Sequence, residues 1–122
     1  MPFKYKIFQQ QTIIVVQAEN VIDIHSCIQA MRDVVMDNNF DPQFNIIVDL
    51  RKMDYDPSTS ELFQIRDSLN ALYRHFKGKI ILVTTKEILY LAKVVCLLAE
   101  IYNIRMSSVN QYNGLDNFTD QM

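Results

Sequence analysis

Glycine, proline and cysteine are scarce in this chain of 122 residues. Two glycines and three prolines, in a chain that is 49% apolar, argue against a disordered segment and against a loop-rich scaffold. The two cysteines, Cys27 and Cys96, lie far apart, and neither has a partner at motif spacing. We therefore expect buried free thiols in a reduced, cytoplasmic environment, since free cysteine is among the most buried residue types.

Strong charge and long apolar runs are also missing. A formal net charge of −2 gives no general attraction to nucleic acid or to anionic membranes. No apolar run approaches the roughly 20 residues that cross a bilayer, and the start MPFKYKIF lacks a signal-peptide pattern. We expect a cytoplasmic protein whose partners are neither nucleic acid nor membrane.

The length and the apolar content predict a single domain over residues 1–122 with a real hydrophobic core. Two short β segments come first, and the link between them is short enough only for a hairpin, so this pair is predicted to be antiparallel. Strand and helix patterns then alternate, which predicts right-handed crossovers and a mostly parallel sheet. The predicted fold is α/β: one mixed sheet of about five strands covered by about four helices, in the order β-β-α-β-α-β-α-β-α.

Several local signals set the predicted boundaries. Asn20 is the predicted N-cap of the first helix, and Gly78 occupies the position of a helix C-terminal glycine. Apolar residues from Leu62 to Phe76 recur at helical spacing. The predicted strands are 3–8, 12–17, 44–50, 79–83 and 104–109, and the predicted third and fourth helices are 86–103 and a short one after Gly114.

The segment from Phe44 to Leu62 is the most informative part of the chain. Its apolar run ends at Asp49 and Leu50, passes through a polar turn and opens a helix with Asp-Pro-Ser-Thr-Ser-Glu. A continuous apolar run indicates a strand buried on both faces. The pattern therefore predicts an interior strand that directs a helix N-terminus to the surface, at the edge where α/β domains place their functional groups.

This order, together with a strand Ile-Ile-Val-Asp-Leu that leads into a serine-bearing helix start, resembles the STAS domain family, which includes the anti-sigma-factor antagonists. In that family the central strand ends in a loop of the form Asp-aromatic-x-Asp-Ser-Ser-Gly-Leu, and a serine at the helix start is phosphorylated. Residues 54–62 occupy the equivalent place, with Pro57 intervening and Glu61 instead of the glycine. The tail 79–118 is similar to an uncharacterised bacterial STAS-like subgroup. The resemblance implies a STAS-like domain over 1–122 with a phospho-acceptor at Ser58 or Thr59.

The serine at this helix start has two interpretations. A hydroxyl at a helix N-terminus is a favourable place for a phosphate, because free N–H groups and the macrodipole attract negative charge. Alternatively, Ser58-Thr59-Ser60-Glu61 is a capping box, which stabilises the helix by about 1 kcal/mol and needs no further role. The nearby carboxylates of Asp56 and Glu61 would repel an added phosphate.

No catalytic or metal-binding constellation is evident. His25 and His75 are distant in sequence and lack ligands at metal spacing, and no phosphate loop, nucleophile elbow or HExxH pattern occurs. Asp49 at a strand end brings a response-regulator receiver to mind, but the acid cluster that would hold Mg²⁺ is missing from the first strands. We expect no enzymatic activity, no cofactor and no metal.

The helix predicted at 86–103 is apolar nearly all the way round, apart from a narrow polar stripe of Lys86, Lys93 and Glu100. A helix on one sheet face needs an apolar arc of only about 100°. The surplus is expected to meet a neighbouring helix, a second copy or another protein, or an apolar ligand.

The sequence thus predicts a non-enzymatic, STAS-like regulatory or protein-interaction domain that docks another protein or forms a homodimer. The alternative is a small-molecule or lipid-binding module with an apolar groove beside helix 86–103. The predicted partner-binding residues are Tyr55, Asp56, Ser58, Glu61, Leu97 and Ile101.

Overall fold

A computed structural model describes residues 2–21 and 23–122. The elements follow one another as β1 (Phe3–Phe8), β2 (Ile13–Ala18), β3 (Asn20–Val21), α1 (Ile24–Met36), β4 (Asn45–Asp49), β5 (Met53–Asp54), α2 (Thr59–Tyr73), β6 (Lys79–Val83), a 3-10 turn (Lys86–Ile88), α3 (Leu89–Glu100), β7 (Arg105–Val109) and α4 (Leu115–Thr119).

Five of these strands form one mixed sheet in the order β1-β2-β4-β6-β7. β1 pairs with β2 antiparallel, and all the later neighbours pair parallel. The predicted α/β class is confirmed, with a mostly parallel five-stranded sheet and four helices. The two-residue strands β3 and β5 form a separate small parallel pair that the sequence patterns did not predict.

The sheet is covered on both faces, with three helices on one face and the short helix α4 on the other. Each crossover moves one strand further in the same direction, so α1, α2 and α3 all pack on one face, which we call the helix face. Side chains alternate with the pleat: Ile14 and Ile46 face the three helices, whereas Val15 and Ile47 face Leu115 of α4. As predicted, β4 is the central strand and is covered on both sides.

Two boundary predictions were wrong. Asp23, not Asn20, is the N-cap of α1, and its side chain accepts a hydrogen bond from the Ser26 N–H at 2.8 Å. The helix predicted at 86–103 begins as a 3-10 turn and ends at Glu100, because Asn103 adopts a left-handed conformation with φ of 60°.

The role predicted for Gly78, that of a helix C-terminal glycine, was also wrong. Helix α2 ends at Tyr73, five residues earlier, and Gly78 does not have a positive φ. This glycine is buried, and its N–H donates to the Pro42 carbonyl at 3.1 Å. A Cβ at this position would overlap the Phe44 carbonyl oxygen, so close backbone approach is what requires glycine.

Candidate binding sites at the carboxyl edge and on helix α3

The carboxyl ends of the parallel strands and the N-termini of the first three helices meet at one side of the sheet, which we call the carboxyl edge. β4 reaches this edge at Asp49 and β6 reaches it at Val83. The loop after β4 crosses the edge and enters α2 at Thr59. The predicted solvent-directed loop therefore exists, with Asp56, Ser58 and Thr59 exposed.

Asp49 anchors this loop. The Asp49 side chain is only 1% exposed. Arg51 donates two hydrogen bonds to it, from Nε to Oδ1 at 2.9 Å and from Nη2 to Oδ2 at 3.0 Å. Gln17 of β2 donates to the same carboxylate at 3.4 Å, and Arg51 continues to Asp116 of α4 at 3.0 Å. The hydrogen bonds from Arg51 to Asp49 and Asp116 raise the pKa of Arg51 above its usual value. Asp49 therefore serves as a structural anchor that joins β2, the loop and α4.

Ser58 forms the predicted capping box. Its Oγ accepts a hydrogen bond from the Glu61 N–H at 3.2 Å, and Glu61 Oε1 accepts one from the Ser58 N–H at 2.9 Å. The bond from the Ser58 backbone is the main reason why the pKa of Glu61 is lowered. The helix start is thus already satisfied by its own side chains.

Removing this cap tests how far Ser58 is structural. Ser58→Ala is expected to lower the free energy of unfolding by about 1 kcal/mol, because one amide loses its acceptor. Ser58→Asp is the matched control, since aspartate caps equally well, and it should keep wild-type stability. Urea denaturation measures both variants. Equal stability of Ser58→Ala and wild type would contradict a stabilising cap.

Tyr55, a predicted partner-binding residue, is less exposed than the neighbouring Asp56 and Ser58. The residue is half-buried, and its hydroxyl oxygen is buried. The Glu61 carboxylate lies near this hydroxyl as an acceptor, although outside ideal hydrogen-bonding geometry. Burial, and to a smaller extent the nearby Glu61 carboxylate, raises the Tyr55 pKa, so the phenol is a neutral donor at physiological pH.

Tyr55 is one of the residues that line an apolar cavity of about 170 Å³ between the helix face of the sheet and helices α1 to α3, although its hydroxyl oxygen is buried away from that space. The wall is mostly aliphatic, and among the described lining residues the polar side-chain groups belong to Tyr55, Tyr73, Thr84 and Cys27. Tyr73 already donates to the Met31 carbonyl at 2.9 Å, and Thr84 donates weakly to the Val109 carbonyl at 3.5 Å. The side-chain hydroxyls of Tyr73 and Thr84 are therefore already engaged within the protein.

This cavity is partly open to solvent, and its wall is almost entirely apolar. An apolar wall of this kind does not hold ordered water, because water needs two or more polar partners. The cavity is thus suited to an apolar occupant.

The second candidate site is the outer face of α3. Tyr90, Leu97 and Ile101, the residue that caps its C-terminus, are 66%, 64% and 67% exposed. At spacings of seven and four residues they share one stripe of the helix surface. Lys93 and Glu100, also exposed, lie together on one flank of this stripe. Large apolar side chains grouped in this way mark interaction surfaces more often than isolated ones do.

The predicted partner-binding residues fall into two separate places. Tyr55, Asp56, Ser58 and Glu61 belong to the carboxyl edge. Leu97 and Ile101 lie toward the opposite edge, because α3 leads back to Arg105, which pairs with Lys79 at the start of β6. The alternative prediction placed an apolar groove beside helix 86–103, but the sequence patterns gave neither the other walls of the cavity nor the Arg51–Asp116 contact, both of which depend on segments distant in sequence.

Other predicted features are placed as follows. Cys27 and Cys96 are free and partly buried, and burial raises both of their pKa values, that of Cys27 to about 12. Across the part of the chain that the structure describes, no three His, Cys, Asp or Glu side chains are grouped to hold a metal ion. In the same described residues, no helix is both long and apolar enough to cross a membrane.

No protein-family model matches this chain, and no curated protein is significantly similar to it.

Proposed function

We propose that this protein is a non-enzymatic, STAS-like interaction domain of the cytoplasm that pairs with a second copy of itself through the outer face of α3. The observation that carries this proposal is the exposed stripe of Tyr90, Leu97 and Ile101. Covering three large apolar side chains removes them from water, which is the main driving force of protein association.

The charges beside the stripe favour a second copy over an unrelated partner. A two-fold interface matches one surface patch with itself. The midpoint between Lys93 and Glu100 falls beside Leu97, so an antiparallel pair of α3 helices places Leu97 against Leu97. The same arrangement sets Lys93 of each copy opposite Glu100 of the other. The stripe is therefore complementary to itself in both shape and charge.

Charge reversal tests this pairing. Light scattering of the wild-type protein is expected to give twice the 14.3 kDa chain mass. Lys93→Glu and Glu100→Lys each turn two attractions into repulsions, which costs about 2 kcal/mol, or about 30-fold in the dimer Kd. The double variant Lys93→Glu/Glu100→Lys restores complementarity and should dimerise like the wild type.

The apolar part of the stripe has a matched control. Leu97→Lys places two charges at the centre of the interface and should yield monomers. Met36→Lys makes the same kind of change on α1, at a side chain that is 74% exposed, and should leave the dimer intact. A wild-type monomer at all concentrations would overturn self-association, and equal weakening by both lysine variants would show that the effect is not specific to α3.

The proposed dimer does not require phosphorylation. The Ser58 hydroxyl already accepts a hydrogen bond within the capping box, and a phosphate there would meet the Glu61 carboxylate. If Ser58 or Thr59 nevertheless acts as a phospho-switch, as the resemblance implies, its effect would fall on a partner at the carboxyl edge. Ser58→Asp would then change the affinity for that partner, while the mass of the α3 dimer stays the same.

The cavity supports a second candidate function, a module that binds a small apolar molecule. Its walls include Ile88, Leu91, Ala92 and Val95 from α3 and the turn before it, so it lies beside the helix that the sequence singled out. Native mass spectrometry of the protein purified from cells should reveal a bound apolar molecule. A clean mass of the chain alone would count against this second function.

A further inference from the structure

The open edge of the sheet at β7 lies directly beside the outer face of α3. β7 is the last strand in the order of the five-stranded sheet, and its neighbour there is β6. A shallow groove runs between the strand and the helix. Its helical wall includes Lys93, Leu97 and Glu100, and its other wall includes residues 105–108 of β7. The proposed α3 interface is therefore continuous with an open strand edge.

The direction of the backbone groups along β7 follows from one hydrogen bond. The Val109 carbonyl accepts from the Thr84 N–H, which follows β6, at 2.9 Å, so the N–H and C=O of Val109 point toward β6. Successive residues of a strand present these groups to opposite sides. Those of Met106 and Ser108 therefore point away from β6, to a side where the described part of the sheet has no strand. Each of these two residues offers a donor and an acceptor at the open edge.

The two outer strands of the sheet differ in how they are protected from pairing. β1, at the other end of the sheet, carries Lys4 and Lys6, and lysine is a common device against strand addition. The sequence of β7, Arg-Met-Ser-Ser-Val, contains neither lysine nor proline. Its charged side chain, Arg105, donates to the Lys77 carbonyl. Of the two edges, β7 is the one without such protection.

We propose that β7 pairs antiparallel with β7 of a second copy, so that the two five-stranded sheets join into one continuous sheet beneath the paired α3 helices. The inference rests on the proposed α3 dimer and adds the strand contact that fixes its geometry.

A two-fold axis through Ser107 gives the register of this strand pair. Ser107 of each copy then lies opposite Ser107 of the other, and Met106 lies opposite Ser108. In an antiparallel pair, hydrogen-bonded and non-hydrogen-bonded positions alternate, and a hydrogen-bonded pair exchanges two bonds. The outward groups of Met106 and Ser108 are placed to form such a pair on each side of the axis. All of these outward N–H and C=O groups therefore gain partners.

The same axis serves the helices. α3 runs opposite to β7, and the groove between them spans 93–100 on the helix and 105–108 on the strand, so Leu97 and Ser107 both lie near its middle. Residues of α3, β6 and β7 line the cavity together, so α3 lies across these two strands. Joining at β7 then sets the two α3 axes about 10 Å apart, two strand spacings, which matches the roughly 8 to 10 Å of packed helices.

Amide hydrogen exchange of the wild-type protein tests the strand contact without any substitution. NMR measures exchange in dilute, monomeric protein and at a concentration where about nine-tenths of the chains are dimers. The Met106 and Ser108 amides are expected to exchange about 10-fold more slowly in the concentrated sample, because only the monomer exposes them. The Ser107 and Val109 amides, which point toward β6, are the matched controls and should exchange slowly in both samples.

A cysteine at the axis tests the register. In a Cys27→Ala/Cys96→Ala background, Ser107→Cys places two thiols at a non-hydrogen-bonded pair, whose Cα atoms are about 4.5 Å apart and within the range of a disulfide. Oxidised glutathione should therefore convert most of this variant to a covalent dimer. Arg105→Cys, also at an exposed position of β7, is the control. Its two copies would lie more than about 10 Å apart, too far for a disulfide.

The outcomes separate this inference from the dimer on which it rests. If the wild type dimerises but the Met106 and Ser108 amides exchange equally fast in both samples, strand pairing is overturned while the α3 dimer stands. If these amides are protected but Arg105→Cys cross-links more than Ser107→Cys, the axis through Ser107 is overturned. A wild-type monomer at all concentrations overturns both the strand pairing and the α3 dimer.

Discussion

Arg51→Ala is expected to lower the free energy of unfolding by about 2 to 3 kcal/mol, a large part of the stability of a domain of this size, although water can partly replace the 37%-exposed Arg51 side chain. The reason is that Asp49 is 1% exposed and would keep a buried negative charge without its guanidinium partner. The remaining donors, the Arg51 N–H at 3.1 Å and Gln17 at 3.4 Å, are uncharged and replace little of the loss. Urea denaturation followed by circular dichroism measures the effect.

Two further variants identify the source of this loss. Asp116→Ala removes only the exposed partner of Arg51 and should change stability by less than about 0.5 kcal/mol. Asp49→Leu/Arg51→Met replaces the buried carboxylate and its partly exposed partner by apolar side chains and should recover most of the stability, because such exchanges are often neutral. If Arg51→Ala proved as mild as Asp116→Ala, the buried carboxylate would not depend on its guanidinium partner.

The fold was predictable where the signal was local and repeated. The run from Phe44 to Leu50 indicated a strand covered on both faces, and the sheet places Ile46 and Ile47 on opposite faces of its central strand. Alternating strand and helix patterns gave the order of the elements, because crossover chirality leaves few arrangements. The β3–β5 pair escaped prediction because two residues are too short to show any period.

Helix boundaries were less predictable, since several residues near a boundary can cap. Asn20 and Asp23 are both good N-cap types, and only the course of the chain after β2 selects Asp23. Similarly, no local pattern showed that the helix after Lys86 begins as a 3-10 turn or that Asn103 ends it in a left-handed conformation.

The candidate sites divide in the same way. The capping box spans four consecutive residues, so the sequence was sufficient to predict it. The surplus apolar surface of α3 was also predictable, because a helix on one sheet face can bury only part of an apolar circumference. The alternative prediction placed an apolar groove beside helix 86–103, but the volume and the other walls of the cavity were not predictable, because they depend on how the side chains of three helices pack against the sheet. The buried position of the Tyr55 hydroxyl follows from that same packing.

Gly78→Ala is expected to be the other severe substitution, with a loss of about 3 kcal/mol or more of unfolding free energy. A Cβ at this position would overlap the carbonyl oxygen of Phe44 and approach Phe76 Cζ to 2.9 Å. Backbone cannot move aside as a flexible side chain can. The N–H groups of Lys77 and Gly78 also hold the Pro42 carbonyl at 2.8 and 3.1 Å, so a shift of this segment would break both bonds.

The second glycine of the chain provides the control for this prediction. Gly114 has a φ of 86°, but a Cβ there would meet nothing within 4 Å. Gly114→Ala should therefore cost only the conformational strain of a left-handed alanine, about 1 to 2 kcal/mol. The comparison of the two urea midpoints distinguishes steric overlap from backbone strain. A smaller loss for Gly78→Ala than for Gly114→Ala would mean that the segment 42–44 can yield, and that close approach does not explain the glycine between α2 and β6.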